Sequence, residues 1–289
     1  MRVAIIGGAG KMGRWFARFL HDEGHEVVIS GRSEARLREA KEQLGVPVAS
    51  NVEAVKGAGV VVLFVPIDSF EAVVREISPH VRPGQVVADV TSVKEMPVDV
   101  MHKYLKTGQI LGAHPLFGPG ARSVANQNFI LTPINDDEQA LAQKAKNYLE
   151  TRGARVTLMT PQEHDRKMAV VLGLAHFIAI VSADALLSTD EIKNTESIGG
   201  ITYKVLLTLV ESVLTEDPEL YASLQMNLPN LPELERLFKD KAGEWAHLVA
   251  TQDHAEFIRR MKALKEKVQK DNPHFGKAYE NMYRIAAGR

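Results

Sequence analysis

Three groups of residues in this chain could do chemistry. They are a glycine cluster near the N-terminus, a histidine between glycines and prolines, and a His–Asp pair with a further histidine in an apolar stretch. His114 is the centre of Gly112-Ala113-His114-Pro115-Leu116-Phe117-Gly118-Pro119-Gly120, which predicts a loop. A lone histidine is more often a surface residue than a catalyst. The competing reading is a general base aimed into a crevice between two domains. Ser92 lies in Thr91-Ser92-Val93-Lys94 at the carboxyl end of an expected strand, where ligands collect in doubly wound sheets. A serine ahead of a helix is also a common N-cap. His164, Asp165 and His176 interrupt an apolar helix. At about 100° per residue, eleven positions leave only about 20° of drift, so Asp165 and His176 are expected on one face. Buried polar residues need a partner or a cavity, and a hydrogen bond to a neighbouring helix would explain each one equally well.

The glycines suggest what these groups would work beside. Val3-Ala4-Ile5-Ile6 is an unbroken apolar run, the pattern of a strand buried on both faces. Gly7-Gly8-Ala9-Gly10-Lys11-Met12-Gly13 follows, and Trp15, Phe16, Phe19 and Leu20 then recur at helical spacing. Strand, glycine turn and helix make a dinucleotide-binding fingerprint, read as Gly8-x-Gly10-x-x-Gly13 with Lys11 and Met12 between the glycines. The helix N-terminus would offer unpaired N–H groups to a pyrophosphate. The second strand, Glu26–Ser30, leads to Gly31-Arg32-Ser33. NAD enzymes usually carry a carboxylate here for the ribose 2′-hydroxyl. Arg32, with Ser30 and Ser33, instead suits a 2′-phosphate, so NADP is expected ahead of NAD, unless Arg32 is a solvated helix-start residue. Val65 and Pro66, at the end of the third strand, complete the expected cofactor-binding set.

The elements that must position these residues alternate through the first half. Strands are expected at 59–66, 85–90, 109–112, 129–132 and 155–159, and helices at 51–56, over about ten residues ending near Ser78-Pro79, and at 136–151. From Pro161 the pattern turns helical, with one helix of about 25 residues toward Leu187, nearly apolar and expected to be buried on most sides. Further helices are expected at 198–215, 218–226, 232–250, 254–267 and 273–287. The fold class is an α/β Rossmann-type dinucleotide-binding domain over 1–160 followed by an all-α domain over 161–289, the latter also burying surface against another subunit.

Composition narrows the rest. The chain has 289 residues, 35 Lys+Arg against 36 Asp+Glu, and no cysteine. Near-neutral charge gives no general attraction to nucleic acid. Without cysteine there are no disulfides, thiol catalysis or cysteine-held metals, and no metal site is expected. Met1-Arg2 runs straight into a strand, so no signal peptide is expected. No apolar run of membrane-spanning length is evident. A cytoplasmic protein is the expectation.

Five segments in order resemble the prephenate/arogenate dehydrogenase family of tyrosine biosynthesis, most nearly its short archaeal-type members. They are the Gly7–Gly13 fingerprint, Asp89-Val90-Thr91-Ser92-Val93-Lys94, Gly112–Gly118, His164-Asp165-x-x-Met168 with Leu174-Ala175-His176-Phe177, and Asp217-Pro218-Glu219-Leu220-Tyr221-Ala222. The resemblance implies oxidative decarboxylation of prephenate to 4-hydroxyphenylpyruvate, with a homodimer formed through the helical domain. It implies His114 as the base, Ser92 bonded to it or to the substrate hydroxyl, and His176 at the substrate side chain. His164 and Asp165 would shape the domain interface and join the substrate site. Relatives carry a Gly-Arg pair whose arginine grips the ring carboxylate, and here that pair falls on Glu211-Ser212. Lys204, Arg166, Lys167 and Arg122 are candidates to replace the arginine. With the sequence starting at the fingerprint and ending after the helices, the fused mutase or regulatory domain of some relatives is not expected. Arogenate or 4-amino-4-deoxyprephenate are alternative substrates; a hydroxyacid or imine reductase, or a non-catalytic NADPH-binding protein, are alternative functions.

Overall fold

The computed structural model describes residues 1–189, 195 and 198–286. The chain divides into two compact units, Met1–Met168 with Met226–Leu228, and Ala169–Gln225 with Pro229–Arg289.

The first unit is built on one sheet. Strands β1 (Arg2–Ile6), β2 (Glu26–Ser30), β3 (Val60–Leu63), β4 (Val86–Asp89), β5 (Gln109–Pro115), β6 (Asn128–Leu131) and β7 (Arg155–Leu158) lie in the order β2-β1-β3-β4-β5-β6-β7. The first five are parallel, β6 runs against β5, and β7 is parallel to β6. This is the expected Rossmann-type sheet. Alternate residues of β1 feed opposite faces: Ala4 and Ile6 join one core, Val3 and Ile5 the other. The first core takes Val55, Phe70, Val74, Ile77 and Met101 from α3 (Asn51–Gly57), α4 (Ile67–Ile77) and α5 (Glu95–Tyr104). The second takes Phe16, Leu37, Ala40 and Ala142 from α1 (Lys11–Asp22), α2 (Glu34–Leu44) and α6 (Asp136–Glu150). Each fully buried large apolar side chain contributes about 1.5–3 kcal/mol. The register Ile6↔Leu63, Leu63↔Asp89, Asp89↔Gly112 levels the strand ends, so the segments after β1, β3 and β4 emerge together. Helix α7 (Pro161–Met168) completes the unit.

His114 is not in a loop. β5 continues through Pro115, and His114 pairs with Ile130 across the antiparallel seam. The glycines and prolines that suggested a loop begin in earnest only at Gly118, and β6 supplies the pairing that keeps the strand extended.

In the second unit, Ala169–Leu174 winds as a π-helix and leads into α8 (Ala175–Leu187). It is followed by α9 (Ile201–Leu214), α10 (Pro218–Asn227), α11 (Leu231–Ala250), α12 (His254–Asp271) and α13 (Ala278–Ala286). α9 packs on α8 and on α13, and α11 packs on the π-helical segment and on α12. Two expectations fail here. Pro161–Leu187 is one helical run of 27 residues with a mean hydropathy of 2.2 in its most apolar window, long and apolar enough to cross a membrane. Gly173, His176, Ser182 and Asp184 interrupt the apolar run yet leave its average high. Only 17% of that window is buried, and Val170, Val171, Val181 and Leu187 are exposed. The apolar pattern therefore does not mark a helix buried within its own chain.

Candidate active site

The glycine turn is assembled as its sequence requires. Gly7 adopts φ +84°, and a Cβ there would lie 2.0 Å from the Phe64 carbonyl oxygen. At Gly8 a Cβ would lie 2.6 Å from that of Ile29. Both backbone N–H groups donate to the Ser30 carbonyl, at 3.0 and 2.9 Å. Helix α1 then starts after Gly10 with no side-chain cap and no acidic residue in its first turn, so the N–H groups around Lys11, Met12 and Gly13 suit an anionic pyrophosphate. These residues fit a dinucleotide cofactor. Arg32 is exposed beyond β2. Ser33 is the N-cap of α2, its hydroxyl accepting from the Arg36 N–H. Ser30 departs from its expected role: it is fully buried and its hydroxyl donates to Asn51 at 2.7 Å, so it supports the turn from beneath. Val65 is half-buried and Pro66 is exposed at the head of α4.

The chemistry-bearing cluster lies at the ends of β4 and β5. Nδ1 of His114 is 2.8 Å from Nε2 of His164, and Nδ1 of His164 is 2.6 Å from Oδ1 of Asp165. Asp165 Oδ1 also accepts the Lys94 N–H at 2.7 Å, and Oδ2 accepts the Glu95 N–H at 2.9 Å. His114 is 5% exposed, His164 0% and Asp165 2%. These bonds assign the protons. Both carboxylate oxygens accept from backbone, so His164 Nδ1 must donate to Asp165. Burial, opposed by Asp165 and assisted by Lys94, lowers the His164 pKa, which leaves Nε2 with its lone pair. That lone pair accepts the Nδ1–H of His114. The remaining nitrogen, Nε2 of His114, is then unprotonated and has no hydrogen-bond partner among the described residues. Burial above all, then His164 and Lys94, hold the His114 pKa well below the usual histidine range. The arrangement can accept a proton at Nε2 and spread the resulting charge toward Asp165.

Lys94 was missed as part of this site. Its side chain is fully buried; Nζ contacts Asp89 Oδ1 and donates to the Ala113 carbonyl at 2.7 Å. Burial lowers its pKa against the pull of Asp89. A lysine after Thr-Ser-Val reads as a surface residue, and the only sequence signal was its place at the end of a strand. Lys94, not Ser92, precedes the first residue of α5. Ser92 is half-buried, makes no hydrogen bond among the described residues, and is not bonded to His114. Trp15 donates from Nε1 to the Ala121 carbonyl at 2.6 Å and packs edge-on to Phe117 at 5.0 Å. The cofactor-side helix is thereby pinned to the segment that follows His114.

In the second unit, the ring of His176 meets that of Tyr221 edge-on at 4.9 Å, and its Nδ1 is buried without a partner. Burial lowers its pKa. The expected shared face of Asp165 and His176 presumed a regular α-helix. The π-helical turn takes about one extra residue, about 100° of phase, and Gln225 Nε2 donates to the Gly173 carbonyl within it at 3.0 Å. The structure pairs Asp165 with His164 and His176 with Tyr221. Lys204 is exposed on α9 with no side-chain partner among the described residues, while the Ser212 hydroxyl donates back to the Leu209 carbonyl at 2.8 Å. Arg122, Arg166 and Lys167 are also exposed. Among the described residues no group of three or more potential metal ligands occurs.

The chain is similar to known proteins in sequence and in fold. Residues 16–158 match the model of the prephenate dehydrogenase nucleotide-binding domain, and residues 160–263 that of the prephenate dehydrogenase dimerization domain. A probable arogenate/prephenate dehydrogenase of Methanocaldococcus jannaschii is 34% identical over 267 residues, covering 91% of this chain and 60% of that protein. A 4-amino-4-deoxyprephenate dehydrogenase of Streptomyces pristinaespiralis is 27% identical over 80% of this chain and 79% of its own length. The chain spans 59–64% of the length of the first curated relatives it matches. The fold is similar to that of a prephenate dehydrogenase from A. aeolicus, solved with hydroxyphenyl propionate and NAD+, with a TM-score of 0.77 at 21% identity over 94% of this chain and 98% of that one. With both domain models matched in order over most of its length, the chain belongs to the prephenate dehydrogenase family.

Proposed function

We propose that the protein is a prephenate dehydrogenase in which His114 is the general base and NADP is preferred to NAD. The observation that carries this reading is the His114–His164–Asp165 chain, which leaves Nε2 of His114 unprotonated. Prephenate bears a hydroxyl opposite a ring carboxylate. Nε2 of His114 takes the hydroxyl proton while the carbon beneath loses hydride, the carboxylate leaves as carbon dioxide, and the ring aromatises to a phenolate that takes the proton back as 4-hydroxyphenylpyruvate. A nicotinamide dinucleotide, its pyrophosphate held by the Gly8–Gly13 turn, would supply the hydride acceptor. Ser92 hydrogen-bonds the substrate hydroxyl. His164 and Asp165 are too deeply buried and too fully bonded to contact substrate, so they orient the base. His176 binds the substrate side chain. Lys204, about two turns before Ser212 on α9, supplies the cation that the absent arginine would have given. Arg32 takes the 2′-phosphate. The protein is a homodimer: the exposed Val170, Val171, Val181 and Leu187 lie within the match to a dimerization domain. The same match favours a subunit face over a membrane span for this apolar run, in keeping with a cytoplasmic enzyme.

Arogenate or the 4-amino analogue is the second reading, favoured by the similarity to a probable arogenate/prephenate dehydrogenase and to a 4-amino-4-deoxyprephenate dehydrogenase. Absorbance of the reduced nicotinamide, with NADP or NAD and each ring substrate, tests both. Turnover of prephenate supports the first reading, and turnover of an amino substrate alone supports the second. Cofactor binding without any turnover refutes both and leaves a nucleotide-binding protein.

A further inference from the structure

Lys94 touches the histidine chain at both ends. Its backbone N–H donates to Asp165 Oδ1 at 2.7 Å, and its Nζ donates at 2.7 Å to the carbonyl of Ala113, the residue before His114. Reading round, Lys94 N–H holds Asp165, Asp165 holds His164, His164 holds His114, and the Ala113 carbonyl returns to Lys94 Nζ. The ring is closed through one residue. Asp89, at the end of β4, fixes the ammonium from the other side and also accepts the Thr91 N–H at 3.0 Å. A fully buried lysine is expensive unless it is paired and hydrogen-bonded, and both acceptors are supplied here.

We propose that Lys94 is the positioning residue of this site, anchoring Asp165 through its main chain and the His114 strand through its ammonium, so that Nε2 of His114 is presented with its lone pair free. The inference rests on the reading of His114 as the base. The charged and titratable groups facing the two histidines in this unit are Asp89 on β4, Lys94 at the head of α5, and Asp165 on α7. Among these only Lys94 is cationic, and it lies where a second positive charge on His114 is opposed. Lys94 touches no substrate in this scheme; it acts through the histidines.

The test is heteronuclear NMR of labelled histidines, assigned with His114→Asn, in wild type and in Lys94→Met. In wild type at about pH 6, His114 should be neutral with its proton on Nδ1; a charged ring, or a proton on Nε2, would overturn the proposal. In Lys94→Met the His114 titration should move to higher pH, and turnover near pH 6 should fall about tenfold more than turnover near pH 9. An unmoved titration in the folded variant overturns the proposal. Lys94→Gln, which keeps a donor for the Ala113 carbonyl, serves if Lys94→Met does not fold, and the wild-type tautomer decides if neither does. The titration needs no turnover, so an inactive wild type with a Lys94-dependent His114 would refute only the dehydrogenase reading.

Discussion

Replacing Asp165 with asparagine changes three atoms' worth of hydrogen bonding and no volume, which makes it a sharp probe of the proton assignment. Asp165 accepts from His164 Nδ1 and from the backbone of Lys94 and Glu95. An asparagine has one oxygen and one NH2 group for these three donors. If the oxygen stays with His164, the NH2 faces the Glu95 N–H, and a buried donor left unsatisfied costs about 1–3 kcal/mol. If the amide turns the other way, its NH2 donates to His164 Nδ1 and forces the proton of His164 onto Nε2. His114 Nδ1 must then accept, its own proton moves to Nε2, and the base is lost. Flipped tautomers of this kind cost about 10⁴ in kcat in the Ser-His-Asp proteases, the handling of a comparable orienting carboxylate. The expected loss here is about two to four powers of ten in kcat, with a fold that still melts cooperatively. Steady-state turnover and thermal unfolding of the same sample check it. A folded Asp165→Asn enzyme within about fivefold of wild type, with nitrogen NMR placing the His164 proton on Nε2, would refute the tautomer argument, because it would show that His164 need not donate to residue 165.

His114→Asn should lower turnover by about two to four powers of ten, the usual worth of a general base; near-normal kcat would remove His114 from the mechanism. Arg32→Asp should shift the kcat/KM ratio from NADP toward NAD, since a carboxylate repels a 2′-phosphate and accepts from a 2′-hydroxyl. An unchanged ratio would place the phosphate elsewhere. The stability of the protein should fall as pH drops below about 6.5. His114 and His164 are both held neutral in the fold, so the unfolded chain binds protons first and each contributes at most about 1.4 kcal/mol per pH unit of loss, ending once the folded groups also titrate. Thermal melts from neutral to mildly acid pH read this slope, and His114→Asn should flatten it; an equal slope in the variant would contradict the assignment.

Much of the nucleotide-binding half is legible because its signals are local. The run Val3–Ile6, the glycines after it and the spacing of Trp15, Phe16 and Phe19 define strand, turn and helix within about twenty residues, and the steric demands at Gly7 and Gly8 explain the residue types. His114 was legible as a residue of interest but not as part of β5. Its extended backbone depends on antiparallel pairing with Ile130, and a glycine- and proline-rich neighbourhood argues locally for a loop. Ser30 sat at the right strand end, yet which way its hydroxyl turns was decided by Asn51. The π-helical turn at Ala169–Leu174 has no period that an apolar run could reveal, since nearly every residue in it is apolar.

By itself the sequence determined the order and type of the elements in the first half, the cofactor turn, and the residues able to act as acid, base or cation, because side-chain periodicity and backbone sterics act over a few residues. Tertiary structure decided which of them meet. His114 and His164 are 50 positions apart and Lys94 and Asp165 are 71 apart, and their contact exists only because the strand register levels the ends of β4 and β5 and α7 packs on α5. Protonation follows from the same cause. Burial and neighbouring charge, neither of which a residue carries in its own chemistry, hold the His114 pKa well below the usual histidine range.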